Sequence, residues 1–353
     1  MKEWTMRRSD LALEVVEAFM EEKTRGQTRG MVKKQEELAG LTVTTLDVLS
    51  GYEKQIGKKA GRYVSIDTSR LGLETADKLE QTRKVFSDQL QRLLAHKKID
   101  ETDTCLVVGL GNEHITPDAL GPLTLDHVIV TRHLYEMDFE DMDPNYREVS
   151  ALVPGVMGLT GIETYDIIES VVKKIKPDFL IVVDALAARV VSRVNKMIQI
   201  TDTGISPGSG VGNGRRKIDE ASLGIPVIAV GIPTVVDAVS VTHDTMDLLL
   251  KHLVKTLNEK ATLETGTGDL SRGGLEEERE ASVPVASVRK EFLGKIGLLE
   301  REEKRQLLME VLTPAGYNLM VTPKTIDSEM EDLSRLVSNA LNVALHPKIS
   351  FQA

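Results

Sequence analysis

Short apolar runs alternate with amphipathic stretches through the middle of this chain. Five runs rich in β-branched residues predict strands buried on both faces, and the longer gaps between them carry apolar positions at helical spacing. This alternation predicts right-handed crossovers and an α/β fold whose mostly parallel central sheet is flanked by helices. The predicted strands are 105–108, 149–153, 179–183, 197–200 and 227–230, and the predicted helices are 122–137, 164–175 and 237–257.

The flanks of this region follow other patterns. An apolar stripe at helical spacing begins at Leu11, and alternating segments broken by glycine turns between residues 30 and 66 predict an appended antiparallel β patch. A stretch rich in Gly, Thr, Glu and Ser near residue 270 lacks periodicity and predicts a mobile loop. The predicted segments are a helix with the antiparallel patch (11–100), an α/β core (101–258), a mobile loop (259–290) and a C-terminal helical segment (291–353).

Composition narrows the function classes. The 353 residues carry 44 Lys plus Arg against 54 Asp plus Glu, and a net charge of -10 argues against a direct nucleic-acid partner. No apolar run approaches the roughly 20 residues of a membrane helix, and the first residues do not resemble a signal peptide. We therefore expect no membrane partner and a cytoplasmic protein. The one cysteine, Cys105, lies in an apolar run and is predicted to be a buried structural thiol.

Two acids follow predicted strands. Asp184 comes directly after the run 179–183, and Asp118 follows the turn Gly109-Leu-Gly111 just before a predicted helix. Ligands of open α/β sheets usually bind in the crevice beyond the carboxyl ends of the strands, where both acids would lie. Each acid has an alternative role as a helix cap, in the case of Asp184 for a helix beginning at Ala185.

A pair of carboxyl groups without a metal cluster favours general acid and base chemistry on water. Two like charges held close together resist joint ionisation, so one carboxyl stays protonated while the other accepts a proton from water. Hydrolysis of a peptide bond uses this division of roles. Glu163 lies at the start of another predicted helix. It would either line the pocket or only stabilise the helix through its interaction with the positive end of the helix dipole.

Glycine-rich segments offer a competing interpretation. The turn at 109–114 lacks the third glycine of a dinucleotide-binding fingerprint. The run 204–214, with Gly208 and Gly210, would either cradle a phosphate or form a flexible loop that borders the acids, and the second reading is preferred because no helix follows it. A non-catalytic nucleotide-binding module thus remains an alternative.

Several long motifs resemble the spore germination protease family. The turn Gly-Leu-Gly-Asn-Glu-His at 109–114 belongs to the first of them. The similar segments are 105–122, 153–164, 177–189, 206–213 and 224–238, with shorter ones at 61–64 and 318–323.

The resemblance implies an atypical aspartic endopeptidase that starts the degradation of small acid-soluble DNA-binding spore proteins in the cytoplasm of the forespore or spore core. It puts the essential carboxylates on Asp118 and Asp184, with Gly109, Gly111 and Asn112 lining the pocket, and implies no cofactor. The fold is also similar to hydrogenase-maturation endopeptidases, which recognise nickel. A metal-dependent hydrolase is therefore a further alternative, although the three histidines near the loops lack ligand spacing to an acid pair. They are His114, His133 and His243.

The same resemblance predicts a propeptide at the amino terminus. Members of the family are made as tetrameric zymogens that remove a propeptide at a site where an acid precedes an apolar residue and alanine. Residues 8–14 read Arg-Ser-Asp-Leu-Ala-Leu-Glu, which implies a propeptide of residues 1–10, a scissile bond between Asp10 and Leu11, and a single peptidase domain over 11–353. The alternative role of Ser9 or Asp10 is a helix cap.

Overall fold

The chain forms two compact units. A computed structural model describes residues 9–22, 30–70, 75–137, 143, 145–208, 216–265, 290, 294–299, 301–312 and 319–348. The larger unit runs to Val235 and resumes at Thr322, and the smaller spans Val236–Val321. The propeptide and the single peptidase domain stay predictions.

A mixed sheet forms the centre of the larger unit. Within the described residues its strand order is β1-β2-β3-β7-β8-β6-β4-β5, and the last two residues of β8 belong to the smaller unit, where they pair with a ninth strand. The strands are β1 (Met31–Leu38), β2 (Leu41–Val48), β3 (Gly61–Asp67), β4 (Cys105–Gly109), β5 (Val149–Leu152), β6 (Phe179–Ala188), β7 (Met197–Thr201), β8 (Val227–Asp237) and β9 (Met320–Val321).

The directions of these strands correct one prediction. Strand β4 runs parallel to β5 and β6. The other part of the sheet is antiparallel, with the neighbouring pairs β1–β2, β2–β3, β3–β7 and β7–β8. The α/β class and the antiparallel patch are confirmed, but a mostly parallel sheet is wrong. The connection from β6 to β7, residues 189–196, is shorter than the dozen or more residues of a parallel crossover.

Helices cover both faces of the sheet. Alternate residues of β4 show the division, because Cys105 and Val107 pack in a core with α3, α4 and α11, whereas Leu106 and Val108 pack with α7. This double burial explains the continuous apolar runs. The helices are α1 (Ala12–Glu22), α2 (Glu53–Ile56), α3 (Ala76–His96), α4 (Leu120–Leu125), α5 (Arg132–Glu136), α6 (Met157–Thr160), α7 (Thr164–Ile175), α8 (Glu220–Leu223), α9 (Ala238–Thr265), α10 (Arg301–Leu312) and α11 (Ile326–Leu345).

Three other predictions have clear outcomes. The helix predicted over 122–137 is two short helices, α4 and α5, and the mobile loop predicted from residue 259 begins as helix, because α9 extends to Thr265. Most of the remaining loop lies outside the described residues.

Burial raises the pKa of the Cys105 thiol, as a structural role requires. None of the described helices combines the length and apolar character needed to cross a membrane.

A buried histidine at the end of α11 predicts acid sensitivity of the fold. The Nδ1 atom of His346 accepts a hydrogen bond from the Arg147 N–H at 3.1 Å, and burial together with the Arg147 charge lowers the His346 pKa to about 4. In the unfolded chain a histidine titrates near 6.5, so the unfolded state takes up a proton at a higher pH than the folded state does. The free energy of unfolding is therefore unaffected by the titration of His346 above that pH and decreases as the pH falls from about 6.5 to 4.

We expect His346→Gln to remove that pH dependence, which amounts to roughly 3 kcal/mol in the free energy of unfolding. Urea unfolding between pH 7 and pH 4 measures it. His96→Gln, at an exposed position on α3, is the control and should retain the dependence of the unmodified protein. An identical pH profile for His346→Gln would contradict the assignment.

Candidate active site

A glycine turn carries the chain from β4 to Asp118. Gly111 has a φ of 118°, and a Cβ placed there would lie 1.9 Å from the carbonyl oxygen of Asp118. The next amide, the N–H of Asn112, donates to the Asp118 carboxylate at 2.8 Å. Asp118 ends a 3₁₀ turn, Thr116–Asp118, and is half-buried. The turn thus fixes both the backbone and the carboxylate of this acid.

Close backbone contacts hold α4, the helix after this turn, against the strand ends. A Cβ on Gly121 would lie 2.2 Å from the carbonyl oxygen of Leu110 and 2.7 Å from that of Val183. A Cβ on Gly109 would in turn meet the Gly121 carbonyl oxygen at 2.4 Å. Glycine at both positions therefore lets α4 approach β4 and β6 more closely than any other residue allows.

Asp184 lies within β6 rather than after it. The strand continues to Ala188, so the alternative in which Asp184 caps a helix beginning at Ala185 is wrong. Its neighbour β4 ends opposite Val183, whose carbonyl oxygen accepts the Leu110 N–H at 2.8 Å. Asp184 is therefore the first β6 residue beyond the paired part of β4, and its side chain is 8% exposed.

The structure brings the two acids to the same edge of the sheet. The 3₁₀ turn that ends in Asp118 contacts β6, and α4 packs on the Val183 carbonyl next to Asp184. On the other side, the buried Thr234 hydroxyl of β8 donates to the Pro117 carbonyl oxygen at 2.5 Å. Gly109 ends β4, and Gly111 and Asn112 follow it in the turn, while their predicted role in lining the pocket stays a prediction.

Glu163 lies in the segment that leads from β5 into α7. Because β5 is parallel to β4, this segment starts at the edge that holds the acids. Glu163 is half-buried, and its side chain does not cap α7. Its position allows the predicted pocket role, which stays a prediction.

The Gly-rich loop begins at the opposite edge, because it follows β7, which ends beside the start of β8. A hydrogen bond of 2.9 Å from the Leu180 N–H to the Pro226 carbonyl oxygen joins the beginnings of β6 and β8 at that edge. Asp184 is four residues further along β6 than Leu180, roughly 13 Å away. The far side of the loop contacts the first turn of α7, next to Glu163, because the Arg216 guanidinium donates to the Asp166 carboxylate at 2.6 Å. The predicted pocket role of Gly208 stays a prediction. Gly210 lies outside the described residues.

The predicted scissile segment is docked beside the far end of β6. The Asp10 N–H donates to the Ala187 carbonyl oxygen at 3.0 Å, and the Ala187 N–H donates to the Asp10 carboxylate at 2.9 Å. Leu11 is fully buried. Ala187 follows Asp184 by three residues, roughly 10 Å along the strand, so the Asp10–Leu11 bond lies out of reach of that acid in this pose.

Two polar side chains hold the carbonyl of that same bond. Lys58 Nζ donates to the Asp10 carbonyl oxygen at 2.8 Å and to the Ser9 carbonyl oxygen at 3.2 Å. Gln199 Nε2 donates to the Asp10 carbonyl oxygen at 3.2 Å, while Gln199 Oε1 accepts the Ala12 N–H at 2.6 Å. Burial lowers the pKa of Lys58, and the nearby carboxylates of Asp10 and Glu14 raise it.

A buried carboxylate anchors the start of α1 to the same strand. Glu14 is 2% exposed and accepts the Arg189 N–H at 2.7 Å and the Val190 N–H at 3.0 Å. It also accepts the Ser9 hydroxyl and lies 3.7 Å from the Arg193 guanidinium. The sequence analysis missed Glu14, Lys58 and Gln199, because contacts across more than 40 residues leave no local signal.

No described group of residues forms a metal site: among the described side chains, no three His, Cys, Asp or Glu residues are placed to hold an ion together. The metal-dependent alternative gains no support from this part of the chain.

Comparison with known proteins assigns the class of this α/β chain: it is a protease. The family model described as Germination protease matches residues 9–353. The germination proteases of Bacillus velezensis and Priestia megaterium are each 45% identical to this chain, over 346 and 351 residues, and that of Bacillus subtilis strain 168 is 43% identical over 346 residues. Each alignment covers 97% of this chain and 94% of the relative.

The chain belongs to the germination protease family. The resemblance found in the sequence is thereby confirmed, and the alternative of a non-catalytic nucleotide-binding module is wrong. Among solved structures, a [NiFe] hydrogenase maturation protease, HycI from Thermococcus kodakarensis KOD1, is 19% identical and covers 37% of this chain and 74% of its own. The TM-score of 0.25 is too low to support a conclusion about fold or site.

The glycine turn predicts a specific loss of proteolysis. Gly111→Ala forces a Cβ against the Asp118 carbonyl and a side chain into a left-handed backbone conformation, so the acid must move. Because a displacement of about 1 Å can cost roughly 100-fold, we expect kcat/KM on a protein substrate to fall at least tenfold.

Gly158→Ala is the matched control, because a Cβ at Gly158 meets nothing within 4 Å. Thermal unfolding of both variants separates a local effect from loss of the fold. Unchanged kcat/KM in Gly111→Ala would show that the position of Asp118 does not matter to the reaction.

Proposed function

We propose that this protein is an aspartic-type endopeptidase that initiates the degradation of small acid-soluble DNA-binding spore proteins during germination. Membership of the germination protease family supports a protease, and the aspartic type and the substrate class are those that the sequence resemblance implies. The net charge of -10 suits the spore protein as partner better than DNA itself.

The observation that carries the catalytic assignment is the contact between the Asp118 turn and β6, the strand that carries Asp184. Backbone approaches at Gly111 and Gly121 hold the turn, and Thr234 fixes it from β8. These contacts lie at the carboxyl edge of the parallel strands, where α/β proteins bind ligands. Asp184 is buried and Asp118 is half-buried, so the environments of the two carboxyl groups differ.

The reaction follows from two carboxyl groups in different protonation states. One carboxylate removes a proton from water as the water oxygen bonds to the peptide carbonyl carbon. The other, protonated, carboxyl donates a hydrogen bond to the carbonyl oxygen and supports the developing negative charge. A proton passes to the amide nitrogen as the C–N bond breaks, which leaves a carboxylic acid and an amine.

We propose further that the protein is made as a zymogen and cleaves itself between Asp10 and Leu11. The docked pose of this bond, roughly 10 Å from Asp184 along β6, requires the segment to detach before cleavage. Local opening of a terminal segment is the least costly way to present a buried bond. A homotetramer and a location in the forespore or spore core complete the proposal, as the family resemblance implies.

Replacement of either acid tests the mechanism. Asp118→Asn and Asp184→Asn should each lower the cleavage of a small acid-soluble spore protein by about 10²–10⁴-fold, because an amide neither accepts a proton from water nor donates one to the leaving group. Initial rates are measured by mass spectrometry of the products.

Asp126→Asn is the control, because Asp126 follows α4 at an exposed position and should leave the rate unchanged. Full activity in Asp118→Asn or in Asp184→Asn would remove that residue from the mechanism.

Self-processing gives a separate prediction. Incubation of the purified full-length chain should remove residues 1–10 and create a new amino terminus at Leu11, which intact mass and terminal sequencing detect. Asp118→Asn, mixed with unmodified protein, reports whether one chain cleaves another. A different new terminus would refute the assignment of the Asp10–Leu11 bond and would leave the catalytic pair untouched.

A further inference from the structure

The groups around Ala187 form a peptide-binding site that the chain itself occupies. The Ala187 backbone makes one bond to the Asp10 backbone and one to its carboxylate. Lys58 binds two successive carbonyl oxygens, and Gln199 binds a carbonyl oxygen on one side and an N–H on the other. All but one of these bonds go to backbone atoms, and the exception goes to an acid side chain. Such a set recognises an extended peptide of varied sequence that carries a carboxylate.

Cleavage after Asp10 would leave this site without its occupant. The Ala187 N–H would lose the carboxylate, and Lys58 would lose both carbonyl oxygens. Ala187 is 4% exposed and Lys58 is partly buried while residues 9–12 are docked, so departure of the segment uncovers donors that were paired. The uncovered groups match any extended peptide that offers the same acceptors.

The same cleavage changes the charge of the site. It removes the negative charge of Asp10 and creates a positive α-ammonium group at Leu11, a shift of about two units at neutral pH. Lys58 and Arg193 remain, with Glu14 as the buried counter-charge. An anionic group is thus attracted more strongly after processing than before it.

We infer that Ala187, Lys58 and Gln199 form an acid-binding subsite for the protein substrate, which residues 9–12 fill until processing. The inference rests on the proposed function, in that it assumes cleavage after Asp10. A substrate acid bound at Ala187 lies three residues beyond Asp184 on β6, roughly 10 Å away. An extended peptide covers this distance in about three residues, so the subsite selects substrates with an acid about three residues from the scissile bond.

A binding experiment tests the subsite without relying on turnover. The probe is a fluorescein-labelled, C-terminally amidated peptide with the sequence of residues 1–10, titrated with the processed protein and followed by anisotropy. The peptide with Asp10→Asn should bind about 10- to 100-fold more weakly, because a charge-assisted bond is lost. Processed Lys58→Met should bind both peptides about tenfold more weakly, because Lys58 binds backbone carbonyl oxygens that both peptides carry, and Lys58→Arg should restore much of the affinity.

Lys54→Met, at an exposed position on α2, is the matched control and should retain the affinity for both peptides. Equal binding of the two peptides to the processed protein would overturn the subsite. Failure of the chain to process would instead contradict the proposed maturation.

The unprocessed full-length chain supplies a second measurement. In an Asp118→Asn background, which blocks cleavage under the proposed mechanism, Asp10→Asn should speed hydrogen exchange of the Ala187 amide by at least about tenfold. Lys58→Met should speed it as well, because the segment loses its second attachment. Unchanged exchange in both variants would show that the Asp10 carboxylate does not hold the site.

Turnover gives the last discriminating readout. On a substrate with an acid three residues from the cleaved bond, Lys58→Met should raise KM about tenfold and leave kcat nearly unchanged, since Lys58 binds substrate away from the reacting atoms. On the matching substrate with an amide at that position, KM should be higher from the outset, and Lys58→Met should raise it by a similar factor, because the backbone carbonyl oxygens are unchanged. A fall in kcat with unchanged KM would contradict a binding role for Lys58.

Discussion

Close backbone approach at three glycines is the constraint on which the candidate site depends. Gly109, Gly111 and Gly121 each occupy a position where a Cβ would overlap a backbone carbonyl oxygen. Without those Cβ atoms, the 3₁₀ turn and α4 can lie directly on the ends of β4 and β6. This contact brings the Asp118 turn to the strand that carries Asp184, and it makes the geometry of the acids a property of the backbone rather than of flexible side chains.

The amino-terminal segment connects this site to the proposed maturation. Glu14 fixes the start of α1 on Arg189 and Val190, just beyond the end of β6, through bonds that do not involve residues 1–10 apart from Ser9, so the anchor largely survives cleavage after Asp10. Asp10 binds Ala187, two residues closer to Asp184 than Arg189. Residues 184–190 thus carry a catalytic candidate, a site for the scissile segment and the anchor of α1. Release of the segment would therefore uncover binding groups on the strand that carries Asp184.

Several features could be predicted from local patterns, and others could not. The runs 105–108 and 179–183 identify strands because both faces of the sheet are buried, and the spacing of glycines before Asp118 indicates a turn. The end of β6 was misjudged, because an acid followed by small residues also matches a helix start, and only neighbouring β-structure keeps residues 184–188 extended. The mostly parallel sheet was predicted for a related reason: the short link from β6 to β7 reverses the strand direction, and the sequence of β7 itself carries no record of that reversal.

By itself, the sequence determined the family, the α/β class and the two acids that lie at strand-end positions, because these depend on short-range patterns and long shared motifs. Only the tertiary structure decided the mixed order of the sheet and the side of it on which each loop lies. It also decided that Lys58, Ala187 and Gln199 meet Asp10, since these contacts join residues up to 189 positions apart. Such pairings arise when strands from distant segments align in one sheet, and their physical cause lies in that alignment rather than in any local run of residues.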